Sequence, residues 1–403
     1  MRDLYPHRRL VATLALLYLS QGVPMGLAMD ALPTLLRRDG APLHALAFLP
    51  LVGLPWVGKF LWAPLVDNHG GRRLGRRRSW ILPMQAMVCL CLLALAATGL
   101  GTAGAGWAVA AMVVASLCSA TQDIASDGMA AEHFEGSLLA GVNAIQVAGV
   151  MVGFFVGGAG TLMLAGHFGQ RTAFALLAGI PLLGLLCALR LPAHGATQIR
   201  PERGASLLRF ARRPGAFSLL VLALLSAVTA VSGFGLSRLF LSDMGWSLEA
   251  IGQLGMAGGA VTIVAGCGGG AWLARRLGVW GAFSAGAVCA AVAAACWVGL
   301  SAHWLALRPG WVWTAAILGS LATGVTSVAM LTAGMRFASR GGQAGTDVTA
   351  VQSTRDLGEM LASSMLVALA ARAGYPGGFA VGATLAIVAL CLGWRLRRGD
   401  AAG

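Results

Sequence analysis

The stretch Gly58–Trp80, GKFLWAPLVDNHGGRRLGRRRSW, carries an apolar run into Asp67 and then into five arginines within seven residues. A soluble core has no place for such a junction. It reads as two membrane spans joined by a tight cytoplasmic loop, because Lys and Arg in short loops stay on the side from which insertion occurs. Asp67 with Arg72, Arg73, Arg76, Arg77 and Arg78 is the candidate gating loop.

The rest of the chain has the same character. Of its 403 residues 57% are hydrophobic and only 11% charged, against about 25% charged in a soluble domain. A bilayer-crossing helix takes about 20 mostly apolar residues. Twelve runs qualify, at roughly 10–36, 44–66, 79–99, 107–130, 138–164, 172–191, 215–238, 248–274, 280–303, 311–336, 345–371 and 377–396. The first is too long, and lacks the small-residue cleavage site, for a cleaved signal peptide. This predicts an all-α membrane protein of twelve transmembrane helices.

Orientation follows from the basic residues. With the N-terminus inside, the inner segments collect about 21 of them and the outer loops six: Arg37, Arg38, Arg171, Arg238, Arg308 and Arg372. Both termini are therefore expected in the cytoplasm. The net charge of +14 is topological, and no nucleic-acid partner is needed to explain it. The lipid bilayer is the expected surrounding. Tryptophans 80, 280 and 394 fall at inner ends, and 107, 246, 304, 311 and 313 at outer ends, as an interfacial belt requires. All eight cysteines lie within spans, which supports no disulfide framework. Cys89 and Cys91 point to different helix faces and make a poor metal site, so neither metal nor cofactor is expected.

The chain divides near its middle. Residues 1–191 and 215–403 each hold six spans, joined by a basic, proline-broken linker over 192–214. The halves match at nearly the same offset. Asn143–Gln146 corresponds to Thr349–Gln352, Asp127–Met129 to Ala333–Met335, and Asp67 to Ala274. Three matches within one residue of the same spacing predict parallel six-helix repeats with a substrate path between them.

Twelve spans in two repeats, with an Asp-and-Arg loop after span 2 and a weaker copy after span 8, resemble the major facilitator superfamily. The usual loop pattern is Gly, three residues, Asp, Arg, any, Gly, Arg. Here Ala63 and Asn68 replace its first Gly and first Arg. YLSQGVPMGL in span 1, LVGLPWVGKFLWAPLVD in span 2, GRRRSW after it and TQDIASDG in span 4 are similar to one branch. It holds muropeptide permeases, acetyl-CoA transporters and bacterial inner-membrane siderophore permeases of the rhizobactin and pyochelin type. Muropeptide permeases of this branch usually carry extra spans, so this length sits closer to the siderophore permeases. The resemblance implies proton-coupled import of an iron–siderophore across a bacterial inner membrane, by a protein expected to act as a monomer. Efflux of a drug or siderophore, and muropeptide import, are the alternatives. Gln122, Asp123 and Asp127 carry over from the span 4 motif.

Charges inside a bilayer cost about 2.5–3.5 kcal/mol each, so each is a functional candidate. They are Asp30, Lys59, Asp123, Asp127, Asp347, Arg355, Asp356 and Glu359. Lys59, the only lysine, either exchanges carboxylate partners or snorkels to the headgroups. Asp123 and Asp127, four apart, share a helix face, where one of them is suited to hold a proton. Asp123 reads as a coupling or substrate residue. Asp127 reads as a latch for the loop arginines or as a second proton site. Arg355 and Glu359 form an i,i+4 pair, leaving Asp356 as a proton or substrate candidate. Gln146 and Gln352, equivalent in the two halves, suit hydrogen bonding to a ligand or between helices. In GVMVGFFVGGAG, Gly149, Gly153 and Gly157 suit close helix packing, expected against glycine-rich span 8. The run also resembles an antiporter motif, with Phe154 in place of its proline. No Walker loop, HExxH or GxSxG occurs, so no enzyme is expected.

Overall fold

A computed structural model describes residues 7–32, 35–36, 52–71, 74–100, 104–191, 204–246 and 248–401. The start of span 2 (44–51), the linker residues 192–203, and Arg72 and Arg73 of the gating loop lie outside the described residues. Among the described residues the chain is helical, apart from an isolated bridge between Gly71 and Gly75.

Helix α1 is Arg8–Gly26, extended by a π-helical turn over Leu27–Ala31. α2 is broken: Leu54–Gly58 runs into a 3-10 turn, Lys59–Leu61, and resumes as Ala63–Asn68. Pro55 and Pro64 each open one of the short helical pieces, where a missing N–H costs nothing. α3 is Arg78–Thr98, α4 Gly104–His133, and α6 Gln170–Leu189. Between them α5 runs over Gly136–Phe155, a π turn at Val156–Gly160, and Thr161–Phe168. A short helix, Leu207–Ala211, precedes α7, Ala216–Asp243. α8 starts at Leu248–Val261, takes a π turn at Thr262–Cys267 and ends at Gly278. There a φ of 75° starts α9 over 279–301. α10 is Pro309–Ser339. Gly374, at φ 73°, separates α11 (344–373) from α12 (375–401). Glycine suits both breaks because no Cβ opposes positive φ. Apart from the short helix Leu207–Ala211, twelve helices are present among the described residues, as the apolar runs predict.

Eight of the helical stretches are long and apolar enough to cross a membrane. Their outward faces carry exposed Leu90, Met163, Val264 and Ile387, which suits lipid rather than water. Two compact units form. One comprises Met1–Leu138, Ala148–Phe210 and Met335–Ser353; the other comprises Leu139–Val147, Ala211–Gly334 and Thr354–Gly403. Each unit therefore draws on both sequence halves. In the first, α3 packs along α4 and α6, around a core of Val88, Leu92, Met112, Phe174 and Leu177. In the second, Trp297 of α9 stacks on Phe379 of α12 at 5.7 Å, with Phe240 of α7 edge-on to both.

The glycines of α5 meet α1, not α8 as expected. A Cβ at Gly153 would run into the Leu19 carbonyl, and one at Gly157 into that of Val23. From the other side Gly22 and Gly26 face the carbonyls of Val150 and Phe154. Small residues on both helices bring the backbones together, which a one-sided stripe cannot do. The glycines of α8 serve α10 instead, with Gly266 against Gly324. Gly153→Val is expected to lower the thermal midpoint in detergent by an amount worth at least the usual overpacking cost of about 1–3 kcal/mol. Gly179→Ala, with open space around it, should leave the midpoint unchanged or raise it.

Candidate functional site

All of the contacts that follow up to Gln352 lie in the first compact unit. Asp67 ends α2 and is fully buried. Its Oδ1 accepts Arg77 Nη1 at 2.6 Å, and its Oδ2 accepts the Thr346 N–H at 2.6 Å. Thr346 lies in the first turn of α11, where backbone N–H groups have no helical partner and favour an anion. Gly345 permits this approach, since a Cβ there would press on Asp67 Oδ1 and Arg77 Nη1. Arg77 lies across Gly128 of α4 and donates from Nη2 to Glu132 Oε1 at 2.6 Å. Arg76 Nη2 reaches the same oxygen at 2.5 Å. Arg78 Nη2 donates to the Leu189 carbonyl at 3.0 Å. Loop arginines thus tie the end of α2 to α4, and Asp67 ties it to α11.

Burial alone would raise the Asp67 carboxyl. The Arg77 guanidinium and the hydrogen bonds from Thr346 outweigh burial and hold it below the ordinary carboxylate value. Burial opposes the charge of Arg77 too, but Glu132 and Asp67 overcome it and strengthen its hold on the proton. For Asp67 the sign is that of a depressed acid. Its contribution is complete above the unfolded value of about 3.9 and is lost as pH falls through the lower folded value.

Deeper in the unit, Lys59 in the 3-10 turn of α2 is 1% exposed. Its ammonium pairs with Asp123 of α4 and donates to Gln352 Oε1 of α11 at 2.6 Å. The Trp56 ring lies 5.1 Å from the ammonium. Gln352 Nε2 donates in turn to Asp127 Oδ2 at 2.6 Å, and Tyr18 of α1 donates its hydroxyl to Asp127 Oδ1 at 3.0 Å. Asp123 and Asp127 are both buried and one turn apart on α4. Five side chains from four helices therefore form one buried network.

One open reading is decided and one expectation corrected here. Lys59 does not snorkel, because the 3-10 turn aims it at Asp123 rather than along the helix toward the arginine loop. Asp127 does not latch the loop arginines; it lies a turn too deep, and Glu132, five residues further along α4, takes them. Among the other candidates, Gln122 donates to the Leu17 carbonyl at 3.4 Å, and its Oε1 is buried without a hydrogen-bond partner. Gln146 belongs to the second unit and is buried. Arg355 and Glu359 pair at 2.9 Å in that unit, beside Asp356. Asp30 lies in the π turn of α1, and its side chain lies outside the described positions. Gly149, Gly153 and Gly157 serve the α1 seam described above.

Sequence reasoning missed Glu132 and Tyr18. Glu132 fell just past the assigned end of span 4, although an acid there faces the arginine loop. Tyr18 is one of three tyrosines in the chain, a polar tip in an apolar run.

This helical fold, with membrane-length apolar helices, buried charges and an arginine-rich loop, is that of a multi-pass membrane protein. The sequence profile of the Major Facilitator Superfamily matches residues 14–363, and the chain belongs to that superfamily. Its members carry small-molecule solutes across membranes, and the protein is a multi-pass membrane protein. Within the superfamily its similarity is to the branch of the muropeptide permeases. It is 29% identical over 278 residues to the anhydromuropeptide permease of Escherichia coli K12, covering 67% of this chain and 56% of that one. The chain thus spans about half the length of the curated relatives it matches. In fold it is similar to the human organic anion transporter MFSD10, with TM-score 0.73, 19% identity, and 96% and 99% of the two chains covered. FucP, a superfamily transporter solved in the outward conformation, gives TM-score 0.72, 13% identity, and 96% and 98% coverage.

Arg77→Gln is expected to cost about 3–5 kcal/mol, because it leaves Asp67 buried without its cation. Adding Asp67→Asn should recover part of that loss. A thermal-unfolding double-mutant cycle checks this; simple additivity of the two changes would contradict the pairing.

Proposed function

We propose that the chain is a proton-coupled importer of an iron–siderophore across the bacterial inner membrane, working by alternating access with both termini in the cytoplasm. One observation carries the coupling: Gln352, at the start of α11, bonds Lys59 and Asp127 at once. The network holds one ammonium and two carboxylates, so with both acids ionised its charge is −1, and a single proton makes it neutral. Low dielectric favours the neutral form.

The cycle follows from what Gln352 does in the network. With the 335–353 segment docked, Gln352 Nε2 stabilises an ionised Asp127, and its Oε1 shares the Lys59 ammonium with Asp123. When the segment leaves, Asp127 loses a donor and Lys59 an acceptor. A proton on the carboxylate then offsets the lost hydrogen bond. Protonation is thereby linked to undocking of α11, and the cell's inward proton gradient gives the cycle its direction. Gln122, Gln146, Asp356 and Glu359 stand as candidates for contact with the solute or proton.

The motifs of α1, α2 and α4 are those of the resembled branch, which includes the siderophore permeases. A second reading, anhydromuropeptide import, is favoured by the similarity to the Escherichia coli permease. Proteoliposomes with and without an inward proton gradient, offered labelled ferric siderophores and labelled anhydromuropeptide in parallel, separate the two. Gradient-dependent accumulation of the iron chelate is expected. Asp123→Asn and Asp127→Asn should abolish accumulation while retaining exchange of solute across the membrane. Wild-type accumulation by both variants would move the coupling site elsewhere, and net export would replace import by efflux.

A further inference from the structure

Where the resembled loop carries arginine after its aspartate, this chain carries Asn68. Its amide grips a single linker residue by both backbone groups. Oδ1 accepts the Ala205 N–H at 2.5 Å, and Nδ2 donates to the Ala205 carbonyl at 3.0 Å. Gln343, just before α11, does the same to the next residue. Its Oε1 accepts the Ser206 N–H at 3.0 Å, and its Nε2 donates to the Ser206 carbonyl at 3.1 Å. Two consecutive linker residues are held in four hydrogen bonds, by amides from opposite ends of the gate.

The chemistry explains the residue types. A carboxamide presents a donor and an acceptor side by side, whereas arginine offers five donors and no acceptor. Arginine at position 68 would leave the Ala205 N–H unpaired. Gln343 is fully buried and also meets Arg209 Nε at 2.9 Å and Asp347 Oδ1 at 2.6 Å. The segment is further fixed by Phe210, edge-on to Phe337 at 5.5 Å. Asn68 directly follows Asp67, and Gln343 precedes by three residues the Thr346 N–H that Asp67 binds. The clamp and the ion-pair gate therefore share both of their anchor points.

We propose that this pair of amides makes the linker a second latch. Residues 204–210 bind across the end of α2 and the start of α11, and Asp67 releases Thr346 only when the four bonds break. This inference needs neither the proton-coupling reading nor a known solute. It also gives the linker a means of acting on the gate, since whatever pulls on Ala205 and Ser206 pulls on both anchors.

Hydrogen exchange on the full-length protein in lipid nanodiscs, without solute, tests the proposal. In Asn68→Ala and in Gln343→Ala the amides of 344–349, Thr346 included, should exchange roughly tenfold faster, as expected for loss of two ordinary hydrogen bonds. Leu208→Ala, which alters an exposed side chain away from both amides, should behave as wild type. Ala205→Pro deletes one clamped N–H without touching either amide, and covers the case in which an amide variant fails to fold. Faster exchange confined to 204–206, with Thr346 protected as in wild type, would overturn the proposal.

Discussion

An ammonium and two carboxylates persist inside a bundle of membrane helices only if their polar atoms are ion-paired or hydrogen-bonded. Lys59, Asp123 and Asp127 meet that constraint through Gln352 and Tyr18. Much of the first unit is arranged to deliver these groups to one place. The 3-10 turn in α2 turns Lys59 inward, the α1–α5 glycine seam sets α1 with Tyr18, and α4 supplies both acids one turn apart. Gln352 comes from the other sequence half, so the network is complete only with the start of α11 in place.

A second, stronger set of charges stands at the arginine-rich end. Buried Asp67 and Arg77 and half-buried Glu132 form a chain of alternating charge, and α11 adds its first-turn N–H to it. The two sets differ in kind. The gate is charge-rich and strongly paired, suited to holding a position. The deeper network joins one ammonium to two carboxylates, and the proposed coupling is placed there. Both act on α11, at Thr346 and at Gln352, so one helix senses both.

Much of this was legible in the sequence because membranes penalise charge so heavily. Every acid and the lysine of the network stood out against an apolar background, and the junction at Asp67 fixed the helical architecture by itself. Beyond the i,i+4 pair Arg355–Glu359, which charges pair was not legible. Pairing depends on helix rotation, and the break in α2 turns Lys59 by an amount that a regular helical period does not give. Glu132 escaped because apolar runs locate the ends of spans poorly, and α4 continues past its apolar stretch. The α1–α5 seam was half visible: the glycines of α5 announced close packing, but only the geometry identified Gly22 and Gly26 as their counterparts. Gln352 was noticed for its repeat position, whereas its bridging role needs three helices in register.

The central claim is that one carboxyl of the Lys59–Asp123–Asp127 network takes up and releases a proton under the control of Gln352. Infrared difference spectroscopy across a pH step, on the protein in lipid, reads this directly. The account predicts a buried carboxylic-acid band that appears on acidification, disappears in Asp127→Asn or Asp123→Asn, and shifts in Gln352→Ala. The absence of any such band at every pH where the protein stays folded would contradict it, as would a band indifferent to all three substitutions.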